Sequence, residues 1–253
     1  MSFFDGPAQL VVAHRGLAVD YPENTLPAFR AAVDAGADIL ETDIHASKDL
    51  IAVVSHDPSL RRLTGRAEHT IQLPLSRLQT IDLGGATMPT LAEMLEEFPD
   101  QRFSVDIKHP AALEPFVDTV TRMNAQQRVM VASFSAQTRR RALAALGAVV
   151  NCATSRQVIP SYLASRAGLA GLTRATLGSA SAVFIPPTRY GFDLFHPAYL
   201  ERLHAHGVVS GAWTINDPQQ MRELWSRGVR AMVTDRTDLA VAERARFGAS
   251  RDD

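Results

Sequence analysis

Two carboxylates, Glu41 and Asp43, stand two positions apart near the end of the apolar run DILETDIH (38–45). The run predicts a buried strand, on which side chains at i and i+2 share a face, so the two charges would repel each other. A divalent cation or a shared proton would offset that cost. The sequence favours a cation, because further candidate ligands and acid–base groups flank the pair at His14-Arg15, His56-Asp57 and Asp106-Lys108.

These polar stretches are far apart along the chain, so a scaffold must bring them together. Short apolar runs alternate with helical segments, as in parallel sheets whose strands are buried on both faces. Eight such βα units in 253 residues predict one TIM (β/α)8 barrel, with an open, doubly wound sheet as the second choice. No linker or composition break divides the chain, so we expect a single domain over 1–253. The predicted parallel strands are 9–14, 38–45, 103–108, 129–134, 149–153, 182–185, 208–214 and 231–234, with a further short strand at 51–55.

Helices are predicted after each of these strands from helical spacing and from Gly and Pro stop signals. We expect the helix after the fifth strand to begin at Pro160 and the chain to fray from Gly248. The predicted helices are 26–35, 90–98, 113–125, 136–146, 160–169, 197–206, 218–227 and 239–247.

The stretch from Ser59 to Met88 interrupts the alternation. It is irregular and contains Gly65, Pro74 and the pair Gly84-Gly85. A loop of this length inside a compact domain is usually functional or folds into a small element of its own. We expect an insertion, residues 59–88, that covers the C-terminal rim of the barrel.

Composition narrows the classes of function. The chain is 46% hydrophobic with a formal net charge of −1 and no polybasic run, so neither nucleic acid nor an anionic membrane is expected as a partner. The single cysteine, Cys152, excludes an intrachain disulfide and a cysteine-based zinc site, and its apolar neighbours predict a small buried side chain. No signal peptide and no apolar run near the ~20 residues of a spanning helix is seen. We expect a cytoplasmic protein without stable membrane insertion, while its oligomeric state leaves no mark in the sequence.

The barrel prediction places the polar residues at one rim, because barrel active sites lie at the C-terminal ends of the strands. Solvated surface residues would scatter over both rims. Trp213, at the end of the seventh strand, is expected to line the substrate pocket. The other residues expected at this rim are His14, Glu41, Asp43, Asp106, Lys108, Asn216 and Asp235.

The chain resembles the glycerophosphodiester phosphodiesterases. Four motifs, HRG (14–16), PENT (22–25), ETD (41–43) and HD (56–57), occur in the order and spacing seen in that family. Each motif alone is weak, but their joint occurrence in order is specific. The family's TIM-barrel fold and its insertion after the second βα segment agree with the pattern above. The resemblance continues through MPTL (88–91), SF (133–134), WTIN (213–216) and TD (234–235).

The resemblance implies a role for each group. Glu41, Asp43 and Asp106 would bind a divalent metal, Mg²⁺ or Ca²⁺. The family most often has Glu at the position of Asp106, so this chain has the shorter acid there. The catalytic acid–base pair would be His14 and His56.

The same resemblance implies that Arg15 and Lys108 grip the phosphate oxygens. Such roles suit a phosphodiester, since an anionic substrate needs cationic stabilisation in its transition state. Two histidines with pKa near ~6.5 can protonate the leaving group and deprotonate the nucleophile at neutral pH. Two points stay open: which histidine is the acid, and whether water or a neighbouring substrate hydroxyl attacks first.

Three functions are compatible with these residues. The first is hydrolysis of glycerophosphodiesters to glycerol 3-phosphate and an alcohol. The second is a lysophospholipase D type reaction, favoured by the apolar content of the insertion and of the loop after the sixth strand. The third is a non-catalytic ligand-binding barrel, which the intact acids and histidines argue against. The apolar loop residues are Tyr190, Phe192, Leu194 and Phe195.

Five neighbouring residues have structural alternatives. Asn24 is expected to cap a helix, with Glu23 a weaker candidate near the site. Two interpretations of Asp57 are equally compatible with the sequence. It binds the metal, or it orients His56 or caps a turn. His45 and His69 are weak candidates for the pocket.

Overall fold

The computed structural model describes residues 3–189 and 191–249. Tyr190 and the chain end at 250–253 therefore lie outside the described residues. The strands are β1 (Leu10–His14), β2 (Ile39–Ala46), β3 (Ala52–Val54), β4 (Arg102–Ile107), β5 (Val129–Ala132), β6 (Val150–Asn151), β7 (Ala182–Ile185), β8 (Thr188–Arg189), β9 (Phe192–Asp193), β10 (Val209–Ala212) and β11 (Ala231–Thr234).

Eight parallel strands form a nearly closed barrel. Their order is β6-β5-β4-β2-β1-β11-β10-β7, and the two ends approach each other through a parallel bridge between Cys152 and Ala182. The predicted TIM barrel is therefore confirmed, and the open sheet is wrong. Strand β3, predicted at 51–55, pairs antiparallel with β2 outside this order, and β8 and β9 form a separate two-stranded hairpin.

Helices follow the strands around the barrel. Most of the predicted helices are present with ends shifted by a few residues, and the last one continues through Gly248 to Ala249 where fraying was expected. The helices are α1 (Leu26–Asp34), α2 (Arg61–Thr64), α3 (Leu75–Leu78), α4 (Leu91–Glu97), α5 (Leu113–Arg122), α6 (Ala136–Leu146), α7 (Ser155–Arg166), α8 (Ala170–Leu177), α9 (Pro197–Ala205), α10 (Pro218–Ser226) and α11 (Thr237–Ala249).

The segment between β6 and β7 corrects the prediction of one helix starting at Pro160. Helix α7 begins five residues earlier, because Thr154 and Gln157 form a capping box that satisfies its first amide groups. Pro160 lies inside the helix, and a second helix, α8, runs back along it. Gln157 Nε2 donates to the Leu177 carbonyl at 2.6 Å, which ties the base of this antiparallel α7–α8 hairpin.

The 59–88 segment folds into small elements of its own. It contains α2, a 3₁₀ turn at Thr70–Gln72 and α3. Its apolar side chains pack with Val53 of β3 into a separate cluster, so a stretch without clear periodicity still has a core. The buried members of this cluster are Val53, Leu60, Leu78, Ile81, Leu83 and Met88.

Apolar side chains fill the barrel and the layer between strands and helices. Cys152 is buried, as predicted, and burial raises the pKa of its thiol to about 11, which keeps it protonated and unreactive at neutral pH. Within the described ranges, no helix has the length and apolar character to cross a bilayer. The innermost cluster includes Leu10, Val12, Ile39, Met130, Ala231 and Val233.

Asp38 ties the start of β2 to its neighbours. Its Oδ2 accepts the Val11 amide at 2.7 Å and also binds the Arg244 guanidinium. Asp38→Ala should lower the free energy of unfolding by about 2 kcal/mol, because a buried amide and a cation lose their acceptor. Urea unfolding measures the effect, with exposed Asp34→Ala as the matched control. Equal stability of the two variants would contradict this account.

Candidate active site

A cavity of about 630 Å³ opens at the C-terminal ends of the barrel strands, and eight of the residues singled out from the sequence line it, whereas Asn216 and Asp235 do not. The convergence expected from the barrel topology is therefore present, while the role of each residue stays a prediction. The residues from that set that line the cavity are His14, Arg15, Glu41, Asp43, His56, Asp106, Lys108 and Trp213.

Strand register explains why the charged groups meet. In the parallel pair β1–β2, His14 lies opposite Glu41. In the pair β2–β4, Asp43 lies opposite Asp106. Neighbouring positions in a parallel sheet point their side chains to the same face, so four groups from three strands enter one cavity.

The Lys108 ammonium lies between two carboxylates. Its Nζ is 2.7 Å from Asp43 Oδ1 and 2.7 Å from Asp106 Oδ2. Burial alone would raise the pKa of Asp43, but the charge and hydrogen bond of Lys108 keep it below its usual range. For Asp106, burial outweighs Lys108 and raises the pKa of the carboxyl. Asp106 Oδ1 is buried with no hydrogen-bond partner among the described residues.

Glu41 is the carboxyl that the site does not neutralise. Its Oε2 accepts only a long hydrogen bond, 3.3 Å, from the Arg15 amide in the described structure. Burial, and then the charges of Asp43 and Asp106, raise the pKa of Glu41 well above its usual range. Three carboxyls thus share two nearby cations, Arg15 and Lys108, so the cavity has a deficit of positive charge.

A tight turn aims Arg15 at the site. Arg15 has a left-handed backbone (φ 59°), and Gly16 follows with φ 85°. A Cβ on Gly16 would lie 2.7 Å from the Ala28 backbone, so only glycine fits against α1 there. The turn brings Arg15 Nε to 3.2 Å from Asp43 Oδ2, although the Nε–H is not aligned for a hydrogen bond.

Asn24 corrects the sequence analysis, because it does not cap α1. Thr25 holds the capping position, and Asn24, buried and left-handed (φ 58°), turns into the barrel. Its Nδ2 donates to Asp43 Oδ2 at 3.2 Å, and its Oδ1 accepts the Thr42 hydroxyl at 2.9 Å. Asn24 therefore positions Asp43, a role that the sequence cannot separate from capping because asparagine suits both.

Each candidate catalytic histidine is held by a carboxylate. His14 Nδ1 lies 2.6 Å from Asp235 Oδ1, and His56 Nδ1 lies 2.8 Å from Asp57 Oδ1. The pairing of Asp57 with His56 favours its orienting role over metal binding. Asn216 in turn holds Asp235, because its Nδ2 donates to Asp235 Oδ2 at 2.8 Å.

Arg62, from the 59–88 segment, was missed by the sequence analysis. It donates to Asp57 Oδ2 at 2.5 Å and to Glu23 Oε1 at 2.7 Å. Glu23 also accepts from Arg15 at 3.1 Å, so one arginine of the insertion links the supports of His56 and Arg15. Burial alone would raise the pKa of Glu23, but the two arginines lower it. One of four arginines in an irregular stretch gives no sequence signal for such a contact.

The remaining histidine candidates do not line the cavity. His45 is buried, with Nε2 3.2 Å from the His56 carbonyl, so it supports the loop that carries His56. His69 is exposed and begins the 3₁₀ turn of the insertion. Neither has a direct part in the site.

Apolar side chains form the opposite wall of the cavity. They come from the end of β5, from α7, from the β8–β9 hairpin and from the end of β10. Several are strongly exposed, as in Phe134 (72%) and Phe192 (63%). The lining residues that are both large and exposed are Phe134, Ile159, Leu163, Phe192 and Trp213.

The carboxylates suit a divalent cation chemically, although they are not gathered as a finished ligand set. In the part of the chain that the structure describes, no three acidic, histidine or cysteine side chains form a metal-binding group. The Lys108 ammonium instead bridges Asp43 and Asp106. Two observations nevertheless favour a cation: Asp106 Oδ1 is a buried acceptor without a donor, and Glu41 lacks a compensating charge. Carboxylate oxygens are the ligands that Mg²⁺ and Ca²⁺ prefer.

The His14–Asp235 pair predicts a pH-dependent contribution to stability. The hydrogen bond from His14 lowers the pKa of Asp235, against partial burial. Because the folded-state pKa lies below the unfolded value of about 3.9, the carboxylate stabilises the fold above that pH and loses this effect as the pH falls through the folded pKa. Wild type should therefore be more stable than Asp235→Asn at pH 7, with a difference that shrinks below about pH 4. Urea unfolding across this range tests it, and a pH-independent difference would contradict it.

Known proteins resemble the chain over nearly its whole length or over part of it. The sequence profile of the glycerophosphoryl diester phosphodiesterase family matches residues 14–239. A Mycobacterium tuberculosis protein named probable glycerophosphodiester phosphodiesterase 2 is 34% identical over 251 residues, which cover 94% of this chain and 92% of that protein. Over 111 residues, the chain is 35% identical to a lysophospholipase D of Rattus norvegicus, covering 38% of this chain and 35% of that protein.

A solved structure gives the same fold. An Oleispira antarctica phosphodiesterase, in complex with the product sn-glycerol-3-phosphate, matches with a TM-score of 0.75 at 23% identity, covering 93% of this chain and 96% of that one. The match over nearly the whole barrel agrees with the full-length sequence relationship. The chain belongs to the glycerophosphoryl diester phosphodiesterase family.

Proposed function

We propose that this glycerophosphodiester phosphodiesterase releases glycerol 3-phosphate and an alcohol by general acid–base catalysis with a divalent cation. The observation that carries the proposal is the presence of two carboxylate-held histidines, His14 and His56, on one cavity with three carboxyls and two cations. The full-length M. tuberculosis relative is named for the same class of substrate.

The histidines are arranged for proton transfer. Asp235 and Asp57 each engage the Nδ1 atom of a histidine, which fixes the ring and leaves Nε2 as the nitrogen for exchange with substrate. One ring would accept the proton of the attacking hydroxyl, and the other would donate a proton to the departing alkoxide. The held orientation avoids the entropy cost of finding it in each turnover.

The two cations, Lys108 and Arg15, would bind the phosphate group. Lys108 already has its ammonium at the centre of the charged cluster. Arg15 also lines the cavity, so its guanidinium would reach a non-bridging phosphate oxygen. Both groups would stabilise charge that accumulates on these oxygens in the transition state.

The metal is proposed for the carboxylate side of the cavity. Glu41, Asp43 and Asp106 would hold Mg²⁺ or Ca²⁺, which would supply further positive charge to the transition state. The shorter side chain at Asp106, where the family most often has Glu, still reaches the cavity. Neutralisation of the excess carboxyl charge around Glu41 supports this assignment.

The first test measures glycerol 3-phosphate release from glycerophosphocholine. Turnover should disappear with EDTA and return with Mg²⁺ or Ca²⁺. His56→Ala should lower kcat by roughly 10²- to 10⁴-fold, because the reaction loses a general acid or base. His204→Ala, a histidine of α9 that does not line the cavity, is the matched control and should behave as wild type.

The cation and the proton transfer by His56 are tested separately. Turnover that survives exhaustive chelation would remove the cation from the mechanism. Full activity of His56→Ala, with the fold checked by circular dichroism, would remove His56 from proton transfer.

A second candidate, lysophospholipase D type hydrolysis, is favoured by the exposed apolar wall. Phe134, Leu163 and Phe192 line the same cavity as the charged groups, and a large solvent-exposed apolar surface in a cleft typically receives apolar ligand. A single acyl chain lying along this wall would place the phosphodiester at the histidines. The partial match to the rat lysophospholipase D agrees with this candidate.

This candidate predicts that the wall contributes more to lipid than to soluble substrates. Phe192→Ser should lower kcat/KM for a lysophosphatidylcholine by about tenfold, because the bound acyl chain would no longer bury part of an aromatic side chain. The loss for glycerophosphocholine should be at least several times smaller. Ile71→Ser, an exposed apolar residue in the insertion, is the control. Turnover of glycerophosphocholine without any turnover of the lysolipid would exclude the candidate.

A further inference from the structure

The charges of the chain are strongly segregated. Residues 119–192 contain nine arginines and no lysine, aspartate or glutamate. This single stretch therefore holds about a third of the 26 basic residues and none of the 27 acidic ones. The whole-chain net charge of −1 conceals the asymmetry, because the rest of the chain is acidic.

Some of these arginines are used inside the fold. Arg128 donates to backbone carbonyls, Arg139 binds Asn151 and Gln157, and Arg141 pairs with Glu114. Others remain for an outside partner: four exposed arginines of this stretch form no ion pair with any described carboxylate. Arg122 ends α5, whereas Arg140 lies on α6 and Arg156 and Arg166 lie on α7.

The α7–α8 hairpin carries exposed apolar side chains beside this charge. Its base is tied at Gln157, and Ser161 Oγ donates to the Thr173 carbonyl at 3.2 Å farther along. The tip is therefore the turn at 166–171. Two half-exposed leucines, Leu169 (52%) and Leu172 (50%), lie at or next to this tip.

The hairpin is anchored to the cavity rim. Tyr162 Oη donates to the Asp193 carbonyl at 2.9 Å, and Ser165 Oγ donates to the Ala198 carbonyl at 3.1 Å, at the start of α9. Ile159 and Leu163 of the same helix line the cavity. The apolar tip and the apolar side of the cavity mouth therefore share the hairpin with Arg156 and Arg166, and the bond from Arg139 to Gln157 holds α6, which carries Arg140, beside it.

We propose that this surface, formed by the α7–α8 hairpin and the apolar cavity mouth, docks the enzyme on an anionic lipid bilayer. Exposed leucines can enter the acyl boundary while arginines contact lipid phosphates. A second copy of the chain fits less well, because it would bring the same excess of positive charge to the contact. Docking in this way is peripheral, consistent with the lack of a spanning helix in the described ranges.

Docking would also determine how the substrate reaches the cavity. The same residues that would touch the bilayer line the mouth of the catalytic cavity, so a docked enzyme receives phosphodiesters from the membrane surface. The docking inference extends the proposed function without resting on it, since vesicle binding is measured without turnover.

The test is co-sedimentation with vesicles of phosphatidylcholine alone and with about 30% phosphatidylglycerol, at low and high salt. Wild type should bind only the anionic vesicles, and less at high salt. The triple variant Arg140→Gln/Arg156→Gln/Arg166→Gln should partition about 100-fold more weakly, at roughly fivefold for each arginine. Leu169→Ser/Leu172→Ser should weaken partitioning by about tenfold at both salt concentrations.

Matched controls separate this surface from general charge effects. The triple variant Arg30→Gln/Arg77→Gln/Arg246→Gln removes the same charge outside 119–192 and should retain most binding. Glycerophosphocholine turnover in vesicle-free buffer reports the fold of each variant, and circular dichroism replaces that readout if turnover is absent in wild type as well.

Several outcomes would overturn the proposal. One is wild-type binding that is absent, or that is equal on both vesicle types. Another is an equal loss of vesicle binding in the two triple arginine variants. A concentration-dependent dimer in light scattering that Leu169→Ser/Leu172→Ser dissociates would also overturn it, because the surface would then be covered by a second copy.

Discussion

The balance of charge around Lys108 is the constraint on which the site depends. Two buried carboxylates, Asp43 and Asp106, each lie 2.7 Å from its ammonium, and a third, Glu41, has no such partner. Isolated buried carboxylates would be strongly destabilising, so the cluster exists only because the barrel holds compensating charge at fixed distance. Burial, and then the charges of Asp43 and Asp106, raise the pKa of Glu41, and the same excess of carboxyls makes the cavity receptive to a cation. Both the stability of the fold and the proposed chemistry therefore require positive charge beside these carboxylates.

Much of this arrangement could be predicted from the sequence, because it follows from local rules. Apolar runs of strand length fix the β-strands, and a parallel barrel then requires their C-terminal ends to share a rim. Glu41 and Asp43 share a face for the same reason. The eight candidate residues consequently meet in one cavity, even though strand ends and helix starts shift by several residues. The 59–88 segment does fold into small elements of its own, and its position over the rim of the barrel stays a prediction.

The rest could not be predicted, because it depends on side chains that meet across long distances. Arg62 joins Glu23 and Asp57 through a fold of the insertion that has no periodic pattern. Asn24 has the residue type of a helix cap, and only the left-handed turn beside Arg15 sends it to Asp43 instead. Helix α7 begins before Pro160 because a capping box at Thr154 and Gln157 outweighs the tendency of proline to begin a helix. The spacing of apolar residues does not decide between these two local signals.

The charged half and the apolar half of the cavity come from different strands and loops of the barrel, and the desolvation cost of charged groups explains this separation. The acids, the histidines and the cations Arg15 and Lys108 come from β1, β2, β4 and the segments that follow β1, β3 and β4, whereas the apolar wall comes from the connections after β5, β6, β7 and β10. Mixing the two sets would place charged groups against apolar surface without partners, at high desolvation cost. Keeping them apart lets the polar half satisfy its own hydrogen bonds while the apolar half excludes water from one side. A lower local dielectric strengthens the attraction of Lys108 and Arg15 for a phosphate. The two halves meet at Lys108, whose ammonium lies 5.6 Å from the centre of the Phe134 ring.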